Sequence, residues 1–137
     1  LGLYDAILIK DNHLAALAAA GKSPADAVRR AHEFVRTTFP PSRRQAMVVE
    51  VEVDSFAQLQ QVLPERPHVA LLDNMSPDEL ARCATLRDRE AADVVLEASG
   101  GIRPETVAAI AATGVDRVST GWPTHDAPWL DVALDWT

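Results

Sequence analysis

The sequence predicts an α/β fold built on a parallel sheet. Two observations carry this reading. Short apolar runs rich in β-branched residues alternate with stretches of helical spacing along the chain. The connections between them are short, so each strand must return to the sheet through a helix packed on its face. The apolar runs fall at 6–9, 47–53, 69–72, 94–96 and 115–118, each bounded by polar or glycine residues, as buried parallel strands are.

The first strand leads directly into a helix at 11–20, and Gly21 stands where that helix should stop. Ser23-Pro24 opens the next helix, 24–38, with a capping hydroxyl ahead of a proline at the first helical position. Phe39-Pro40-Pro41-Ser42 reads as a loop before the second strand. Helix 56–63 follows, and then the third strand. Ser76-Pro77 repeats the start signal, and Glu79 completes a capping box with Ser76 at the head of helix 77–89. The fourth strand is followed by helix 104–113, which Gly114 terminates ahead of the last strand.

Two architectures share this element order, a doubly wound sheet and a barrel. A closed barrel takes roughly 200 residues or more, so the strands of this 137-residue chain would make an arc with open edges. The chain begins at Leu1 rather than methionine and enters its first strand almost at once, near Asp5. The expectation is therefore the later part of a TIM-like α/β barrel, with residues 1–137 belonging to one domain and the earlier strands lying outside this sequence.

With 47% hydrophobic and 24% charged residues, disorder and low complexity are set aside. Thirteen Lys plus Arg against twenty Asp plus Glu give a net charge of −7, which disfavours general nucleic-acid binding. A single phosphorylated small molecule remains compatible, since backbone N–H groups and a metal ion can hold it against the overall field. The one cysteine, Cys83, falls in a helix with no disulfide partner, and a reducing, cytoplasmic setting fits. The Ala-rich run at 14–20 is far shorter than the ~20 residues that span a bilayer, and no charged leader precedes it.

Polar residues gather at the C-terminal end of every strand, the edge where parallel α/β folds carry their ligands. Along the second strand, alternation sends Val51 and Val53 toward the helices and Glu50 and Glu52 the other way. Glu52 and Asp73, on neighbouring strands, are hard oxygen acceptors suited to a hydrated magnesium ion or to sugar hydroxyls. Asp54 reads as a helix cap, whereas Asp73 is free for function because Ser76 already serves as the cap. Ser99-Gly100-Gly101 offers consecutive N–H groups ahead of a helix, a nest for an anion such as phosphate, although a tight turn would call for the same glycines. Ser119-Thr120-Gly121 repeats the arrangement one strand later, and His125 lies just beyond it on the same edge. Neither loop matches G-x-G-x-x-G or the P-loop.

Lys10 ends a buried strand and can pair with an anionic substrate, since a cation gains nothing at a helix N-terminus. His13 is placed to shape the loop after Lys10, while His32 and His68 read as ordinary helix and loop residues. No H-E-x-x-H spacing is present, so a dedicated zinc site is not expected.

Taken in order, Asp5-Ala6-Ile7-Leu8-Ile9-Lys10-Asp11-Asn12-His13, Val49-Glu50-Val51-Glu52-Val53, Leu71-Leu72-Asp73-Asn74-Met75-Ser76, Leu96-Glu97-Ala98-Ser99-Gly100-Gly101-Ile102 and Thr113-Gly114-Val115-Asp116 resemble the C-terminal part of the quinolinate phosphoribosyltransferase family. The resemblance implies transfer of phosphoribose from phosphoribosyl pyrophosphate to quinolinate with decarboxylation. The products would be nicotinate mononucleotide, pyrophosphate and carbon dioxide, for de novo NAD synthesis, with Mg2+ accompanying the donor. It sets Lys10 against a quinolinate carboxylate, and Glu52 and Asp73 against the ribose hydroxyls and metal. Ser99, Gly100, Gly101, Thr120, Gly121 and His125 fall on the phosphate side. It further implies an upstream α/β domain, acceptor-binding arginines outside this sequence and a homodimer. Trp122-Pro123 departs from the small or aliphatic residues usual in the family, and 36–45 is longer than usual. Two other functions share these features, a related phosphoribosyltransferase with another base acceptor and a non-catalytic anion-binding barrel fragment.

Overall fold

The computed structural model describes residues 5–134 apart from residue 129. Strands β1 (Ala6–Ile9), β2 (Val48–Val53), β3 (Val69–Asp73), β4 (Val95–Ser99) and β5 (Arg117–Val118) alternate with helices α1 (Asp11–Ala19), α2 (Pro24–Thr38), α3 (Pro41–Arg44), α4 (Phe56–Val62), α5 (Pro77–Glu90), α6 (Pro104–Ala111) and α7 (Trp122–His125). The five strands form one parallel sheet in the order β1-β2-β3-β4-β5. A doubly wound sheet reverses its strand order at a switch point and carries helices on both faces. Here the order is sequential, and only one face is packed into the core. The fold is therefore the arc of a singly wound α/β barrel, as the sequence predicts.

Alternation along the strands divides the two faces sharply. Val49, Val51, Val53, Ala70, Leu72, Leu96 and Ala98 are 0–1% exposed and join Val28, Leu59, Val62, Leu80 and Cys83 from the helices in one apolar cluster. Burying each of the larger aliphatic side chains contributes about 1.5–3 kcal/mol. On the opposite face Glu50, Glu52, Leu71, Asp73, Val95, Glu97 and Ser99 are half-buried, and Leu8 is exposed.

The helix starts follow the cap chemistry. Ser23 accepts the Asp26 N–H at 3.2 Å, and the Asp26 carboxylate takes the Ser23 N–H at 2.8 Å. Glu79 likewise accepts from the Ser76 N–H at 3.0 Å and from its hydroxyl at 2.8 Å. Gly21 and Gly114 follow α1 and α6 with positive φ, the helix stops expected of them. His68 and His32 are structural. The Val49 N–H donates to His68 Nδ1 at 3.0 Å, and His32 Nε2 lies 3.1 Å from the Arg66 carbonyl. Among the described residues no helix is long and apolar enough to cross a membrane.

Three expectations are corrected. The 39–42 loop gives way to a helical turn, because Pro40 is held extended by the proline after it and the Arg43 and Arg44 N–H groups then close onto its carbonyl at 2.9 and 3.1 Å. β4 runs on to Ser99, since the polar Glu97 and Ser99 that look like loop residues simply occupy the open face. β5 shrinks to two residues, and Asp116 supplies the reason. Its carboxylate accepts the Leu96 N–H at 2.8 Å, a donor that an ideal ladder would give to a strand carbonyl.

Asp116 also pairs with Arg87, the buried charged residue of α5, whose guanidinium donates to the carbonyls of Val94 at 2.8 Å and Gly114 at 3.3 Å. Partial burial would raise the Asp116 carboxyl, but the hydrogen bonds from Arg87 and Leu96 outweigh it and hold it below the usual carboxylate value. A depressed carboxylate stabilises the fold above its unfolded pKa, and that contribution is lost as pH falls through the folded one. In urea titrations the intact protein is therefore expected to lose stability below about pH 4. Asp116→Asn should flatten that loss. At pH 7 the same variant should cost about 2 kcal/mol, less than a fully buried pair because the carboxylate is 41% exposed.

Candidate active site

Every strand ends at the same edge of the sheet, and two concavities open there side by side. The first, about 620 Å³, lies at the ends of β2 and β3, with the carboxylates of Asp11, Glu52, Asp54 and Asp73 on one side and Leu14, Ala15, Ala18 and Pro24 of α1 and α2 on the other; Lys10 is not among its walls. Register sets Ile9 opposite Val51, so Lys10 stands beside Glu52 at the strand ends. Lys10 is exposed and caps α1, and its backbone N–H donates to His13 Nδ1 at 3.0 Å, which fixes the turn as the sequence predicts for His13. Burial pushes the Glu52 carboxyl up; Lys10 opposes this, and Asp73 and Asp11 add to it. The reading of Asp54 as a cap is corrected. Ser55 caps α4, accepting the Gln58 N–H at 3.4 Å, and the Asp54 carboxylate is left to the acidic concavity.

The second concavity, about 380 Å³, lies between the loops after β4 and β5. It gathers Ser99, Gly100, Gly101, Thr120, Gly121 and His125, the residues that the sequence marks for phosphate, whereas Lys10, marked for an anionic substrate, lies outside it. Each loop is shaped for a different reason. A Cβ on Gly100 would lie 2.2 Å from Asn74 Oδ1 and 2.8 Å from the Asn74 backbone nitrogen, so only glycine fits there. Gly121 has ordinary negative φ, and its lack of a side chain admits the His125 ring 3.2 Å from the Cβ position. Thr120 spends its hydroxyl on the scaffold, donating to the Ile102 carbonyl at 2.5 Å and accepting the Trp122 N–H at 3.2 Å. This ties the two loops together.

Asn74 joins the two concavities, and sequence reasoning did not single it out for that role. It sits in the left-handed region at φ 55°, donates its N–H to the Ser99 carbonyl at 2.9 Å and its side-chain amide to Asp73 Oδ2 at 2.7 Å. The β3–β4 register places Asp73 directly opposite Ser99. Asn74 thus orients the carboxylate on one side and holds the glycine loop on the other. The signal in the sequence was an Asn at a strand end where a left-handed turn follows.

Beneath these residues the open face carries a charged layer. Glu97 accepts the Ser119 hydroxyl and has Arg117 at 3.9 Å. Glu50 is pushed up by burial and by Glu97, against the pull of Arg117. Trp122 and Arg103 also line the second concavity; the first was noted in the sequence as a departure, and the second was missed. Among the described residues no group of three or more His, Cys, Asp or Glu could hold a metal ion. Glu52 and Asp73, which both line the first concavity, are two hard oxygen donors, and a cation held there would have to bring most of its oxygen ligands with it.

Fold and site together define a class, an α/β barrel arc with a carboxylate-lined concavity and a glycine-loop concavity adjoining at the C-terminal edge of its sheet. The profile of the quinolinate phosphoribosyl transferase C-terminal domain matches residues 1–135. The nicotinate-nucleotide pyrophosphorylase [carboxylating] of Mycobacterium leprae is 42% identical over 135 residues, covering 98% of this chain and 43% of that protein. A probable nicotinate-nucleotide pyrophosphorylase [carboxylating] of Bacillus subtilis is 35% identical over 136 residues, covering 99% of this chain and 42% of its own length. The solved structure of the nicotinate-nucleotide pyrophosphorylase from Francisella tularensis superposes with a TM-score of 0.72 at 32% identity, over 95% of this chain and 40% of that one. The chain belongs to the quinolinate phosphoribosyl transferase family, in its C-terminal domain. It spans less than half the length of these relatives.

Gly100→Ala tests the junction. The Cβ meets backbone as well as the Asn74 amide, and φ at this position is 95°, so the loop must move. The expected outcome is a folded protein whose affinity for ribose 5-phosphate, the kind of ligand these loops are proposed to hold, is at least about tenfold lower in calorimetry than that of the unsubstituted protein. Gly101→Ala, where φ is also positive at 59° but nothing lies within 4 Å of the Cβ position, carries the backbone strain without the clash and should lose less.

Proposed function

We propose that this chain forms the donor side of an enzyme that transfers phosphoribose from phosphoribosyl pyrophosphate to quinolinate with decarboxylation. It releases nicotinate mononucleotide, pyrophosphate and carbon dioxide for NAD synthesis. The observation that carries the reading is the placement of Asp73 opposite Ser99 on adjacent strands. Neighbouring strands are about 4.8 Å apart, so one sugar phosphate can lay its hydroxyls on the carboxylates and its phosphate in the glycine loops at once.

In this reading Glu52 and Asp73 accept from the ribose hydroxyls and lie near the anomeric carbon. Negative charge held there favours the cationic character that develops as pyrophosphate leaves. Lys10 faces a carboxylate of quinolinate and holds it beside the sugar. The N–H groups of the Ser99–Gly101 loop and the backbone of Thr120 and Gly121, with the His125 ring, hold the phosphate, while the Thr120 hydroxyl stays on the scaffold. Glu52 and Asp73 would be the protein contacts of a bound Mg2+, whose charge would offset that of the pyrophosphate leaving group. The full-length enzyme is proposed to work as a cytoplasmic homodimer, with the acceptor-binding arginines supplied from outside this chain.

In full-length enzyme, Glu52→Ala and Asp73→Ala are each expected to lower quinolinate-dependent formation of nicotinate mononucleotide by about 10³-fold. Thermal melting should be unchanged. Wild-type rates in both variants would sink the assignment. Protonating Glu52 removes an acceptor, so kcat/KM should fall as the pH drops. The acid limb is expected above the ordinary glutamate value of 4.5 because burial raises this carboxyl.

A further inference from the structure

We infer that Arg103 is an additional ligand for the donor's phosphate monoester, resting in loose contact with Asp126 in the free protein and turning to the dianion when it enters the cavity between the two glycine loops. The inference rests on the donor-site reading above and adds a residue and an exchange to it.

Among the described residues lining that cavity, Arg103 is the single Arg or Lys. The other walls offer backbone N–H groups, hydroxyls, an imidazole and an indole, so Arg103 supplies the fixed positive charge. Its backbone is committed and its side chain is not. Arg103 is the N-cap of α6, extended at φ −126° and ψ 164° ahead of Pro104, and its N–H donates to Thr106 Oγ1 at 3.0 Å. The guanidinium meets Asp126 Oδ2 at 3.7 Å, beyond hydrogen-bond range, and the two side chains are 61% and 52% exposed. Such a pair contributes little in water.

Asp126 lies just past α7, so this loose contact crosses the mouth of the cavity from one loop to the other. An arriving phosphate dianion repels the Asp126 carboxylate and attracts the guanidinium. Arg103 then exchanges one long, screened contact for two parallel charge-assisted hydrogen bonds to phosphate oxygens. A neutral sugar offers no such gain, so the ligand chemistry is a phosphate monoester. The contact is remote from the anomeric carbon and acts equally on bound substrate and transition state. It should therefore act on KM rather than on kcat.

The test is calorimetric titration of full-length protein with ribose 5-phosphate and with ribose, paired with donor kinetics. Arg103→Gln is expected to weaken ribose 5-phosphate binding about tenfold, or 1.4 kcal/mol, and to raise the donor KM by the same factor with kcat within about twofold. Arg103→Lys should recover part of the loss, since it keeps the charge without the bidentate fork. Asp126→Asn should bind at least as tightly as wild type. Arg30→Gln, an exposed change of the same charge on α2, should behave as wild type. Circular dichroism checks that each variant is folded. Wild-type affinity in Arg103→Gln overturns the inference and leaves the donor site standing. Equal weakening in Arg30→Gln overturns it as a bulk charge effect, and equal weakening in Asp126→Asn overturns the exchange. Failure of the wild type to bind ribose 5-phosphate overturns both the inference and the donor-site reading.

Discussion

The site depends on the alternation of side chains along β2, β3 and β4 and on the parallel register that locks those strands together. Val51, Val53, Leu72, Leu96 and Ala98 are buried against the helices almost completely, so a slip of one residue would exchange that apolar set for the carboxylates. The hydrophobic core thereby decides which way Glu52, Asp73 and Ser99 point. Their placement at the open edge follows from the burial of their neighbours, with no contribution needed from the polar groups themselves.

The polar groups are then refined by short-range contacts that the sheet alone does not provide. Asn74 spends its left-handed backbone and its amide on linking Asp73 to the Ser99 loop, and Thr120 spends its hydroxyl on joining the β4 and β5 loops. Each is a side chain of apparent ligand character used to hold a neighbour in place. The layer of Glu50, Glu97 and Arg117 shows the cost of an open, partly buried face. Carboxylates there need the Ser119 hydroxyl and the nearby guanidinium, and Glu50, which faces Glu97, still has its carboxyl raised. The short β5 belongs to the same economy of contacts, because the Asp116 carboxylate takes a ladder donor in order to neutralise the buried Arg87.

Much of this was legible in advance where the chemistry is local. The starts of α2 and α5 are declared by Ser-Pro pairs, with Glu79 completing the box at α5, and the core face of β2 by strict alternation. Gathering Ser99, Gly100, Gly101, Thr120, Gly121 and His125 required only that consecutive strands lie side by side. Misreadings arose where a local rule had a competitor. Asp54 looked like a cap until the adjacent Ser55 took that role, and Pro40-Pro41 looked like a break where it begins a turn of helix. Arg103 was passed over because it reads as one more solvated arginine beside a proline. Its meaning comes from Asp126, which is distant in sequence and reaches it across the cavity mouth.

By itself the sequence determined the alternation of strands and helices, their order, the face each strand buries and the set of polar residues at the C-terminal edge. These follow from periodicity, caps and turn residues, which act within a few positions of the chain. Only the tertiary structure decided that Asp73 stands opposite Ser99, that Asn74 bridges two concavities and that Arg103 shares a cavity with His125. Those are distances between residues brought together by packing. No local preference encodes them, because they exist only once the apolar face has closed on its helices.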